Sequence, residues 1–172
     1  MSITHRILGQ PGWDNAMLVT VDSGEAVSTL VFDCGQYCLD ELPLRTLQGV
    51  EHVFFSHLHM DHIAGFDTFV RCNYDRTDKQ NHVWGPPETS DIIQHRLQGY
   101  KWNLNKDMRA TWYVHDYDGE TVRTFRFELH ESFGEKHFEG EEAVTDDVLL
   151  GTKDFAVKAF VMDHYTPCLA YL

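Results

Sequence analysis

The chain has 172 residues, 42% of them hydrophobic and 24% charged, enough for one sizeable buried core, and residues 1–172 read as one domain. Its formal net charge of -13 repels polyanions over most of the surface, and no long basic run offsets it, so a nucleic-acid substrate would need a local basic patch or a metal site. The N-terminus lacks the apolar stretch of a secretion signal, no run of about 18 apolar residues could span a membrane, and the four cysteines (Cys34, Cys38, Cys72, Cys168) match no compact zinc module; a soluble cytoplasmic protein with reduced thiols is expected.

Taken in chain order, Ile3–Leu8, Ala16–Val21 and Val27–Phe32 alternate as strands, the last two joined by a turn at Asp22-Ser23-Gly24-Glu25. Leu39, Leu42, Leu44 and Leu47 suit a short helix whose start is limited by Pro43. Val50–Ser56 reads as a buried strand that runs into a histidine cluster. Beyond the cluster, Ile63, Phe66, Phe69 and Val70 keep a helical period, His82–Trp84 fits a short strand, and Thr89–Leu97 follows the breaker Gly85-Pro86-Pro87 as a second helix. From Thr111 onward the pattern is β-rich, with strands expected at Trp112–His115, Val122–Leu129, Val148–Leu150, Phe155–Met162 and Leu169–Leu172. The acidic run Glu139-Gly140-Glu141-Glu142, with Asp146 and Asp147, reads as a solvated loop. Strands interleaved with helices and then a run of strands indicate a layered α/β domain. Because the pattern stops inside an apolar strand at Tyr171-Leu172, the chain is expected to be incomplete.

The chemistry is concentrated in His57-Leu58-His59-Met60-Asp61-His62. On extended backbone His57 and His59 point to the same side, so two imidazoles converge on one ion. Where the chain turns into a helix, Asp61 and His62 can face a second ion close by. Scattered surface histidines would not form such a string immediately after an apolar strand.

That string resembles the signature motif of the metallo-β-lactamase superfamily. Further segments resemble its ribonuclease Z branch: Ile7-Leu8-Gly9, Phe32-Asp33-Cys34-Gly35, Ser56-His57, Ile63-Ala64-Gly65, Val83-Trp84-Gly85-Pro86-Pro87, and Val161-Met162-Asp163-His164 followed by Tyr171. The resemblance implies an αββα sandwich of which this chain is the N-terminal part, with the C-terminal half missing. It further implies that His57, His59 and His164 hold one metal while Asp61 and His62 contribute to the other, Asp61 also serving in catalysis. Zinc is the metal expected for imidazole and carboxylate donors without thiolate, two ions in a complete site, with manganese or iron as alternatives. Two cations would activate a bridging water and neutralise charge on a phosphoryl or acyl oxygen. The superfamily pattern continues with a bridging aspartate and another histidine that have no counterpart here, which implies weak or single-metal binding and little activity for this chain alone.

Asp33 is expected to orient a ligand histidine, because ligating imidazoles need a partner on their other nitrogen; a turn-forming role is the alternative. Tyr100, Trp102, Trp112 and Tyr113 are read as core or lid packing, with base stacking beside Arg96, Lys101 and Arg109 as the alternative. The resemblance implies a metal-dependent phosphodiesterase acting on RNA, with 3′ processing of precursor tRNA as its specific form. A second reading is a hydrolase of a small ester, lactone, thioester or cyclic phosphodiester, which the acidic surface suits better. A third is an inactive, truncated domain that associates with a partner, and a homodimer is expected because an uncovered apolar sheet face drives association.

Overall fold

A computed structural model describes residues 1–172, built around an eight-stranded sheet and a second sheet of three strands. The large sheet follows chain order: β1 (Ser2–Gly9), β2 (Asn15–Asp22), β3 (Val27–Phe32), β4 (Val50–Phe54), β5 (Asn81–Gly85), β6 (Thr111–Tyr117), β7 (Thr121–Glu128) and β8 (His137–Ala143). Strands β1–β3 form the expected antiparallel meander, with Met17 opposite both Ile7 and Phe32. The Asp22 carboxylate accepts from the Gly24 N–H at 2.8 Å and closes the second turn. From β3 to β6 the strands are parallel, and each crossover is made by helices: α1 (Leu44–Gly49), α2 (Met60–Ile63) with α3 (Phe66–Asn73), and α4 (Thr89–Gln98).

Alternation along the central strands sorts their side chains onto two faces. Val31, Val53, Val83 and Val114 point to the helices and join Leu47, Phe66, Phe69, Ile93 and Leu97 in a cluster of 24 buried residues. Leu30, Phe54, Trp84 and Tyr117 point the other way, into a cluster of nine beneath the small sheet. That sheet consists of β9 (Val148–Gly151), β10 (Ala156–Met162) and β11 (Cys168–Tyr171), in the order β11-β10-β9. Three layers of the expected sandwich are therefore present, helices on sheet on sheet, and no helix residue enters the second cluster. No helix is long and apolar enough to cross a membrane.

The structure departs from the sequence expectations in three places. The helical period after the histidines is two helices rather than one, broken at Ala64-Gly65. A side chain at Gly65 would run into the Gly35 carbonyl, so glycine is required where the two segments meet. Pro43 stands immediately before α1, where its fixed φ of -58° suits a helix start, so Leu39 and Leu42 fall in the preceding turns rather than in the helix. The acidic run expected as a loop forms β8. Its carboxylates stay in solvent while Arg123 and Arg126 of β7 pair with Glu141 and Glu139, so cross-strand charge pairs support a strand that apolar periodicity does not announce.

Candidate metal centre

The C-terminal ends of the parallel strands form one edge of the large sheet, the place where α/β sheets gather ligand-binding loops. At this edge β4 ends at Phe54, and Phe55 continues the ladder through a 2.8 Å N–H bond to the Trp84 carbonyl. The backbone is still extended at His59 (φ -70°, ψ 155°), and α2 starts at the next residue. Extended spacing brings the His57 and His59 rings to 4.6 Å between centroids. The first helical turn then folds His62 back, 3.9 Å from the His57 ring.

The fifth residue singled out from the sequence, His164, lies on the hairpin between β10 and β11, its ring 4.8 Å from His57 and 5.9 Å from His59. The small sheet is tied to the cluster by the Leu169 N–H donating to the Ser56 carbonyl at 2.7 Å and the Tyr171 hydroxyl donating to the Phe55 carbonyl at 2.8 Å. Two donor sets result, His57 with His59 and His164, and His57 with Asp61 and His62, the atoms of each set lying within 4.8 Å of one another. His57 is common to both and is buried, whereas His59, His164 and Asp61 reach solvent.

Asp33 organises this edge. It ends β3 in the left-handed region (φ 57°), an uncommon conformation tolerated best by Asn and Asp. Its Oδ1 accepts the Ser56 N–H at 2.7 Å, and its Oδ2 accepts the Ser56 hydroxyl at 2.8 Å and lies 2.7 Å from Nδ1 of His62. Since the hydroxyl gives its only proton to Asp33, the Ser56 Oγ must accept from Nδ1 of His57, 3.1 Å away. Both imidazoles thereby carry their proton on Nδ1 and keep the Nε2 lone pair free. His62 Nε2 lies 3.4 Å from the Asp61 carboxylate, two electron-pair donors placed to share a cation rather than to bond each other. The hydrogen bond to Asp33 pushes His62 up from its ordinary pKa, despite its partial burial. Burial pushes His57 down, and the adjacent His62 and His59 push it further.

The same turn is locked from behind. The Cys34 N–H donates to the His62 carbonyl at 2.7 Å and the Gly65 N–H to the Cys34 carbonyl at 2.8 Å. A side chain on Gly35 would lie 2.7 Å from the Asp14 Cβ, so the β1–β2 loop and the turn after β3 can approach only through glycine. Ser56 is the residue that sequence reasoning undervalued: it bridges Asp33 and His57, and its signal was only its position before the first histidine. The aromatic group read together in the sequence is divided. Trp112 is fully buried on the helical face, Tyr113 stacks on His82 across the other face, and Tyr100 and Trp102 pack edge to face beyond α4.

The donors fit a divalent metal, since closely spaced imidazole nitrogens and a carboxylate, with the other nitrogen of His57 and of His62 hydrogen-bonded, suit such ions.

Comparison with known proteins gives a consistent fold. Residues 10–163 match the family model described as "Anti-Pycsar protein Apyc1". The ribonuclease Z of Deinococcus radiodurans is 51% identical over 166 residues, 96% of this chain and 50% of that protein. The ribonuclease Z of Treponema denticola is 23% identical over 82% of this chain and 37% of its own length. The chain thus spans half or less of the length of these curated relatives. The metallo-β-lactamase fold protein YhfI from Bacillus subtilis superposes with a TM-score of 0.56 at 15% identity, covering 98% of this chain and 57% of that one. The short form of human tRNase Z gives 0.54 at 17% identity, covering 99% and 64%. The chain has the metallo-β-lactamase fold, and it belongs to the family described as anti-Pycsar protein Apyc1.

Proposed function

We propose that this chain carries the metal-binding part of a phosphodiester hydrolase acting on RNA. The observation that carries the reading is the pair of donor sets sharing His57 at the strand-end edge, in a chain half identical to a protein named ribonuclease Z. His57, His59 and His164 would hold one zinc ion, and Asp61 and His62 would contribute to a second, with manganese or iron as alternatives. When bound, such ions lower the pKa of water and neutralise charge gathering on a phosphoryl oxygen. His57 offers one free nitrogen and so would serve one ion, and three protein donors on the first ion with two on the second would leave positions for water or substrate oxygen. Asp33 keeps the His62 proton on Nδ1, Ser56 does the same for His57, and buried His57 excludes water from the rear of the site. Asp61, adjacent to His62 and open to solvent, can take a proton as well as bind metal. Processing of precursor tRNA at its 3′ side is the specific form of this reading.

A smaller substrate, such as a cyclic phosphodiester or an ester, is the second reading. The net charge of -13 favours it, because long polyanions are repelled over distances that a single phosphodiester does not feel. Residues 1–172 would act as one unit in either case. The four cysteines are unpaired, as a cytoplasmic location would keep them. Exposed Phe160 and Met162, on the outer face of β10, offer a second copy an apolar patch, which supports a dimer.

The test is hydrolysis of bis(4-nitrophenyl) phosphate and of a labelled RNA oligonucleotide by the zinc-loaded chain, with His57→Ala as control. Turnover of both, abolished in the variant, is the expected result. Turnover of the small diester alone selects the second reading. Full metal loading with no turnover of either would overturn both and leave a partner-binding domain.

A further inference from the structure

The opposite edge of the large sheet, where β4 and β5 begin, holds an opening remote in the fold from the histidines. The C-terminal end of α3 is fixed to this edge. Asn73 Nδ2 donates to the Leu47 carbonyl at 3.2 Å, and the buried Arg76 guanidinium donates to the carbonyls of Val50 at 2.6 Å and Gln80 at 2.8 Å. The segment joining α4 to β6, residues 99–110, returns to the same edge, where the Ala110 carbonyl accepts the Leu129 N–H at 3.0 Å. Residues of α3 and of this segment together line a pocket of about 360 Å³, within the size range of small-molecule sites.

The lining combines three aromatic rings, Tyr74, Tyr100 and Trp102, with Arg71 and Lys101, and it contains no carboxylate. Tyr74 lies 5.6 Å and Tyr100 5.9 Å from Trp102 between ring centroids. Trp102 is the fixed member of the group. Its Nε1 donates to the Leu97 carbonyl at 2.7 Å, and its ring meets Phe133 edge to face at 5.3 Å. Tyr100 and Leu104 are by contrast 44% and 83% exposed, apolar surface that the core does not use.

The charge at this end runs against that of the whole chain, which is -13. Half of the fourteen Lys and Arg side chains pair with carboxylates. Arg96, grouped with Lys101 and Arg109 in the sequence, is one of these, taken up by Asp67 at 2.8 Å. Arg71 and Lys101 belong to the unpaired half, as do Lys106 and Arg109 further along the segment, whose one carboxylate is Asp107. Cations without partners at one end of an acidic molecule attract an anion, and the rings beside them accept an apolar body. The same cations oppose a second copy docking here about a two-fold axis, since like charge would meet like.

We propose that this pocket binds a small aromatic anion, a molecule of one or two rings bearing one acidic group, its rings against Trp102 and Tyr100 and its charge met by Arg71 and Lys101. No lining residue belongs to either donor set, so binding requires no metal.

The test is fluorescence titration of the chain, with and without zinc, using anilinonaphthalene sulfonate and N-phenylnaphthylamine, which has the same rings and no sulfonate. The variants are Arg71→Gln with Lys101→Gln, Tyr100→Ala, and Phe160→Ser on the exposed patch of β10. Arg71 and Lys101 are exposed, so their double variant leaves the core intact. It should weaken the sulfonate about tenfold, as two partly exposed charge contacts allow, and leave the neutral amine within about twofold. Tyr100→Ala should weaken both dyes, and Phe160→Ser and zinc should alter neither. No binding of the sulfonate to the wild type, or no selective loss of it in the charge variant, would overturn the site. Loss in Phe160→Ser without loss in Tyr100→Ala would place the dye on the small sheet, and a gain that requires zinc would place it at the metal centre; either overturns the assignment.

Discussion

On the helical side of the large sheet, four helices close over a cluster of 24 buried residues that includes Phe66, Phe69, Trp112 and Phe127. On the opposite side three short strands cover nine, and the face beyond them holds polar side chains instead: His52, His82 and His115 lie in a row across β4, β5 and β6. Trp84 Nε1 donates to His52 Nδ1 at 3.1 Å, His82 Nδ1 is 3.0 Å from His115 Nε2, and His115 Nδ1 is 2.9 Å from the Thr124 hydroxyl. The helical face is thus the source of most of the apolar stabilisation, while the strand-covered face holds the β10–β11 hairpin in place and, through it, His164. One face keeps the domain folded and the other assembles chemistry.

The largest expected effect breaks this contrast at its core. Phe69→Ala should cost roughly 3–5 kcal/mol in urea unfolding, whereas Leu169→Ala under the small sheet should fall near 2 kcal/mol, the low end for its type. Equal costs would show that the small sheet contributes as much to the global transition as the helices do.

A smaller effect separates metal binding from folding. Asp33→Asn leaves the side-chain shape but loses the charge that fixes the His62 proton. Zinc affinity, measured by competition with a chelator, should drop about 10- to 100-fold, with the unfolding midpoint of the metal-free chain little changed. A large loss of metal-free stability instead would make Asp33 a structural residue first.

The smallest effect belongs to the histidine row. Burial lowers His52 to about 3 and His82 to about 4, and pushes His115 well below its usual range. Each is neutral when folded and protonated near pH 6.5 when unfolded, so the unfolded chain binds more protons below that pH. Stability present above pH 6.5 should therefore decline as pH falls from there towards 4, by on the order of 1 kcal/mol per histidine at pH 5.5. His82→Asn should flatten that slope in unfolding curves recorded between pH 7.5 and 5.

Much of the edge was legible because its residues are neighbours in the chain. His57, His59, Asp61 and His62 fall within six positions, and a strand that runs into a helix brings such positions together whatever surrounds them. The meander and α4 were readable for the same reason, since alternation and helical period are local properties. Strand β8 was not readable, because its support is a set of charge pairs with β7 that only exist once the two strands are side by side.

The sequence by itself therefore determined the layered α/β class and the metal-donor string, because each depends on residues a few positions apart. Only the tertiary structure decided that His57 belongs to both donor sets and that Ser56 and Asp33 set the protonation of two imidazoles. Those relations join loops from separate strands, and the distances between such loops depend on the packing of the whole sheet rather than on any local pattern.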